Sequence, residues 1–245
     1  DPRSARELTL IARALVHLER YQDANDMYRS AIEADSGYFE AQLGAAELYT
    51  AKYLYGDAAL FLTDAIKINP NSARVFLALA RNKRLDGDDE TTAALAKALT
   101  INPNLVDAIA LKAAMSLEAS RLDEASAEID KALKINARSL EAHSLRAALL
   151  YLQDKDFEPE VAATLAIAPH YGEVYNTLSH YATITRRTEQ AAQFARRATE
   201  ITPRLSRLMF KFGFSISIHS KRGSQCAIDH QESVPSMRAS LSDGC

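Results

Sequence analysis

The sequence has no tryptophan, only two cysteines, eight glycines and seven prolines among its 245 residues. Two cysteines, Cys226 and Cys245, are too few for a disulfide framework. No run of about 18 apolar residues occurs, which excludes a transmembrane helix and argues against membrane insertion. No excess of one charge sign exists either: the net charge is −3. A general nucleic-acid binder needs a basic surface, so that class is set aside. No charged-then-apolar leader opens the chain.

Missing, too, are the arrangements that carry chemistry. His17, His143, His170 and His180 lack the paired partner that zinc hydrolysis needs on one helix face. Glycines are scattered singly, so no phosphate-cradling loop is present, and there is no Cys-x-x-Cys or Gly-x-Ser-x-Gly. Cys226 stands near His219 and His230. That trio reads as exposed side chains of an unordered tail rather than as a nucleophile and base. The expectation is no catalytic residue, no metal site and no cofactor.

What the chain does have is alanine: 41 in residues 1–203 and 2 in residues 204–245. Alanine is the strongest helix former, so composition alone sets a boundary near Pro203. Near copies of one segment recur at Ala65–Pro70, Ala98–Pro103, Ala132–Ala137 and Ala198–Pro203, spaced 33, 34 and 66 residues apart. Ala31–Ser36 precedes them by 34, and the weaker Leu165–Pro169 fills the double gap. Six units of about 34 residues result.

Each unit reads as two helices. In the fourth, Leu105, Ala108, Ile109, Leu111, Ala113, Met115 and Leu117 mark one apolar face, and Leu122, Ala125, Ile129, Ala132 and Leu133 a second. The polar turn Ala119–Arg121 separates them. Asn-Pro pairs end the second helix, because the residue before proline avoids the α region. Asn71 and Asn104 are placed to cap the following helices.

These residues resemble the tetratricopeptide repeat family. With the closing proline numbered 32, the family's small position 8 falls on Ala12, Ala46, Ala78, Ala113, Ala147 and Ser179. Position 20 falls on Ala24, Ala58, Ala125 and Ala191, and position 27 on Ala31, Ala65, Ala98, Ala132 and Ala198. Position 24 holds Tyr28, Leu62, Leu95, Ile129 and Ala195. The family's tryptophan at position 4 is replaced by Leu8, Gln42, Arg74, Ile109, His143 and Tyr175. The third unit is one residue short near Asp86–Asp88, and the fifth is short and carries Pro159.

The resemblance implies an all-α fold: a right-handed α-solenoid of six helix–turn–helix repeats over residues 1–203. Small residues allow close helix contact, and each pair hides its apolar face against the next. Leu205, Leu208, Met209 and Phe212 predict a capping helix over 204–214. Residues 215–245 are expected to be disordered or a non-native ending. Asp1-Pro2 matches the close of a preceding unit, so a fragment of a longer protein is expected.

By the same resemblance, a concave groove is expected from Arg6, Arg13, Glu40, Leu43, Glu47, Asn82, Lys83, Asp107, Leu117, Glu118, Glu141, Tyr151, Glu173, Asn176 and His180. It leans acidic, with Leu117 and Tyr151 as apolar anchors, and suits a protein or peptide segment with basic and aromatic residues. A clamp for a C-terminal carboxylate is not expected, since Thr9/Arg13, Leu43/Glu47, Val75/Leu79 and Ala110/Ala114 lack the cations and amides it needs. Two functions stand: a non-catalytic interaction scaffold, or the recruiting arm of a larger enzyme, such as a bacterial zinc peptidase or glycosyl transferase. Repeats without cysteine suit the cytosol and the bacterial periplasm equally. The sequence does not specify partner or oligomeric state.

Overall fold

The computed structural model describes residues 4–86 and 90–202. The expected capping helix, the tail with Cys226, the Asp1-Pro2 pair and the shortened turn at residues 87–89 lie outside the described residues. Among those residues there are twelve helices and no strands. They pair as α1 Ala5–His17 with α2 Tyr21–Ala34, α3 Phe39–Ala51 with α4 Tyr55–Ile68, and α5 Ala73–Asp86 with α6 Thr91–Ile101. The later pairs are α7 Val106–Glu118 with α8 Leu122–Ile135, α9 Leu140–Leu152 with α10 Glu158–Ile167, and α11 Glu173–Ile184 with α12 Thr188–Ile201. Each helix packs on its hairpin partner, and each hairpin packs on the next, giving an all-α solenoid in one row.

The turn inside each hairpin is the same device five times. Glu19, Tyr53, Ser120, Asp154 and Arg186 have φ between 54° and 63°. Just after each, a backbone N–H reaches back five residues: Arg20 to Leu15, Leu54 to Tyr49, Arg121 to Ser116, Lys155 to Leu150 and Arg187 to Ala182, at 2.8–3.0 Å. This left-handed residue with a long backward bond satisfies the carbonyls that the helix end leaves orphaned.

Between hairpins a different turn recurs. Asn69, Asn102 and Asn136 each accept, through Oδ1, the backbone N–H two residues on, from Asn71, Asn104 and Arg138. The capping role expected of Asn104 is therefore corrected: Leu105 holds the N-cap of α7, with no side-chain bond. The asparagine that closes each of these second helices does the turning instead, whether proline (after Asn69 and Asn102) or Ala137 follows it, because a short amide can fold onto its own backbone.

The small residues sit where hairpins meet. Ala12, Ala46, Ala113 and Ala147 are fully buried, and so are Ala31, Ala65, Ala98 and Ala132. Ser179 is the exception in kind: its hydroxyl donates to the Ala191 carbonyl across the sixth hairpin at 2.9 Å. Leu62, Ile129 and Leu178 fill the space between successive pairs without solvent contact. Replacing such a leucine by alanine typically costs about 2–5 kcal/mol. The short α10 carries Pro159 in its first turn, where the missing N–H has no helical acceptor to lose.

Candidate functional site

The first helices of the hairpins, α3 through α11, line a concave groove made of two adjoining cavities. One, of about 620 Å³, is bounded by Glu47 and Thr50 of α3, by Arg74, Leu77, Arg81, Arg84 and Leu85 of α5, by Leu105, Asp107 and Leu111, and by Glu141 of α9. The other, of about 580 Å³, continues past Arg84, Leu85 and Glu141 to Glu118 of α7, Ser144 and Leu145 of α9, and Tyr171, Glu173, Asn176, His180 and Tyr181. Arg84, Leu85 and Glu141 thus form the wall the two share.

Helix α5 supplies the cationic side. Arg74, Arg81 and Arg84 fall seven and three residues apart, on one helix face, with Leu77 and Leu85 interleaved. Arg74 binds Glu40 of α3 through two N–H···O bonds of 2.7 and 3.2 Å. Arg13 of α1 approaches the same carboxylate at 3.9 Å. Arg81 reaches Glu141 at 3.4 Å, skipping a whole hairpin. Arg84 pairs with Glu118, which His180 of α11 also meets, Nε2 to Oε1 at 3.2 Å. The bound pair holds the Glu118 carboxyl below its ordinary value, the His180 hydrogen bond being the largest cause and Arg84 adding to it against burial.

The opposite shift marks two other carboxylates. Glu141 is pushed up by burial, with Asp107 repelling it further, although Arg81 and Arg84 pull it back. Glu47 is open to solvent at the groove mouth, yet the surrounding concave wall displaces enough water to raise its carboxyl too. Arg74, Arg13 and Arg81 offset that burial only in part. Tyr181 is buried, and its hydroxyl donates to the Ala114 carbonyl of α7 at 3.2 Å. That bond ties α11 to α7 across α9.

The expected site residues divide. Glu47 and Asp107 line the first cavity, and Asn176 and His180 the second. Arg13 and Glu40 stand beside the first, linked to it by Arg74. Five residues do not line the groove. Leu43, Leu117 and Tyr151 are core side chains, since one apolar helix face serves contact with the neighbouring hairpin. Tyr151 stacks edge-on against Phe157 and Phe194, so its part as a groove anchor is corrected. Buried Asn82 instead donates to Thr50 Oγ1 and the Tyr55 carbonyl, each at 3.2 Å, clasping the second hairpin to the third. Lys83 pairs with Glu90 at the start of α6. The acidic lean also needs correction in the first cavity, where three arginines face three carboxylates, Glu47, Asp107 and Glu141. The arginine stripe was visible in the spacing of α5, though not at the family positions used to pick the groove.

Among the described residues no helix is long and apolar enough to cross a membrane, and no group of three His, Cys, Asp or Glu side chains could hold a metal ion.

Residues 15–81 match the tetratricopeptide repeat family model. No curated protein sequence matches the chain. Among solved structures it is similar to the pilF protein of Pseudomonas aeruginosa, at 15% identity and a TM-score of 0.58, covering 84% of this chain and 96% of that one. It is also similar to a chain of the APC/C hetero-tetramer Cut9–Hcn1, at 11% identity and a TM-score of 0.66, covering 85% of this chain and 42% of that one. Such distant likeness speaks for the fold. With the sequence match over residues 15–81, it supports a tetratricopeptide-type solenoid, a fold that is in general a protein-interaction scaffold.

Proposed function

We propose that this tetratricopeptide-type solenoid is a non-catalytic scaffold that holds a segment of another protein in its concave groove. The observation that carries the reading is Leu85. It is 52% exposed, yet it stands on the wall shared by both cavities rather than on a convex surface. A large apolar side chain kept open inside a concavity gains by being covered, and a partner segment is what fits there. Around Leu85, Arg81 pairs with Glu141 and Arg84 with Glu118, while Glu47 and Asp107 have no ion pair among the described residues, so charge can set a partner's register in addition to contact area.

The test compares the full chain with Leu85→Arg in affinity capture followed by mass spectrometry. Because Leu85 is exposed, the substitution leaves the core untouched, and circular dichroism checks this. Proteins retained by the unchanged chain and reduced at least tenfold by the variant support the groove. Equal retention by both would remove the groove from the function.

A further inference from the structure

The electrostatics of the first cavity narrow the occupant further, resting on the groove reading above. We propose that the groove takes a basic, leucine-type segment, with Lys or Arg side chains seated against the carboxylates Glu47, Asp107 and Glu141 and apolar side chains against Leu77, Leu85 and Leu111.

The arginines of the groove already have partners. Arg74 is held by both oxygens of Glu40, and Arg84 by Glu118. Arg81 lies 3.4 Å from Glu141. The arginines are therefore engaged, and an anionic partner would have to take them from carboxylates that are themselves partly desolvated. Glu47 and Asp107 are different. Among the described residues, neither receives an ion pair or a side-chain hydrogen bond. In the next cavity Glu173 accepts from the Asn176 amide at 3.2 Å and meets no described cation. The unmatched charge of the groove is negative.

Burial sharpens this preference. The carboxyl of Glu141 is raised by desolvation and by Asp107, and that of Glu47 by desolvation. A cation placed beside Asp107 and Glu141 stabilises both ionised forms, and one beside Glu47 offsets its desolvation, whereas an incoming carboxylate adds a further repulsion. The three carboxylates come from α3, α7 and α9, so only a ligand lying across the hairpins meets them together. They are too dispersed to form a metal site, since no group of three such side chains meets that geometry among the described residues. A side-chain cation on a stem of several carbons can reach one of these carboxylates and leave its stem along Leu77 or Leu111. Leu85, open to solvent beside Glu141, then takes the neighbouring apolar residue of the same segment.

The experiment is a display selection of random 12-residue peptides against the full chain, followed by fluorescence-anisotropy titration of the enriched peptides. Three proteins are compared: the unchanged chain, Leu85→Arg, and the double variant Glu47→Gln with Asp107→Asn. The expected result is enrichment of peptides carrying Lys or Arg beside Leu, Ile or Met. Their affinity falls at least tenfold in both variants and weakens as salt rises. Peptides lost in Leu85→Arg but equally bound by the double variant, or enriched peptides of acidic character, would overturn the basic segment while leaving the groove in place. If no peptide is sensitive to Leu85→Arg, the groove reading itself falls, and the basic segment with it.

Discussion

Gly44 of α3 lies under the ring of Tyr28 of α2. A Cβ added at Gly44 would stand 2.5 Å from Tyr28 Cε1 and 2.7 Å from its hydroxyl oxygen. Tyr28 is itself buried, so the ring has little room to withdraw. Burial also raises its hydroxyl to about 12, so the ring stays neutral under ordinary conditions.

This pairing predicts a change of sign. Alanine in place of glycine inside a helix favours folding by about 1 kcal/mol, while overpacking costs about 1–3 kcal/mol. Gly44→Ala alone should therefore lower stability. In a Tyr28→Ala background the clash is gone, and the same substitution should raise it. Urea denaturation of the four proteins of the cycle measures this. Additive effects would show that the ring and the glycine are not coupled.

The intra-hairpin turns make a second prediction. Ser120 has φ 58°, a region that costs an L-residue about 1–2 kcal/mol and glycine almost nothing. Glycine also loosens the unfolded chain by about 0.5–1 kcal/mol. Ser120→Gly should stabilise by up to about 1 kcal/mol, and Ser120→Val should destabilise, both read from the denaturation midpoint. A midpoint unmoved by either would mean that the turn is not strained.

A third concerns Gln42, which stands at family position 4. Its side chain is 5% exposed, and Oε1 has no hydrogen-bond partner. Nε2 makes one long bond of 3.4 Å to the Ser36 carbonyl. A buried acceptor without a partner costs about 1–3 kcal/mol. Gln42→Met should thus raise the midpoint of thermal unfolding, since it keeps the volume and removes the orphaned oxygen. A lower midpoint would show that the amide is satisfied after all.

Position 4 also shows where the sequence stopped speaking. The period, the hairpins and the buried small residues were all legible, because Ala31, Ala65, Ala98, Ala132 and Ala198 repeat a steric requirement that only a small side chain meets. What filled the tryptophan site was not. Ile109 is simply buried, whereas His143 bonds Glu160 at 2.8 Å and the Ala137 carbonyl at 3.0 Å. The groove was half legible for a related reason. Helical spacing tells which residues share a face, but the curvature of the stack decides whether that face looks at solvent or at the next hairpin. Leu117 and Glu118 are adjacent in sequence, and one is core while the other lines the second cavity.

Two groove glutamates should respond to pH in opposite directions. Glu118 is held below its ordinary 4.5, chiefly by His180, so its ionised form stabilises the fold. That contribution is complete above the unfolded value and is lost as pH falls through the folded one. Glu141 is raised above 4.5, chiefly by burial, so its ionised form is a burden at neutral pH. The burden lifts as pH falls through the raised value and is absent below 4.5. Relative to the unchanged chain, Glu118→Gln should therefore be less stable at pH 7, and Glu141→Gln more stable. Both pH-dependent differences should shrink on acidification, that of Glu141→Gln at the higher pH. Urea midpoints taken from pH 7 to pH 3 give the two curves. If Glu141→Gln weakens the fold at neutral pH as much as Glu118→Gln does, the Arg81 pair outweighs burial. The carboxyl cluster then has no unmet need for a cation, and a basic partner gains no electrostatic advantage there.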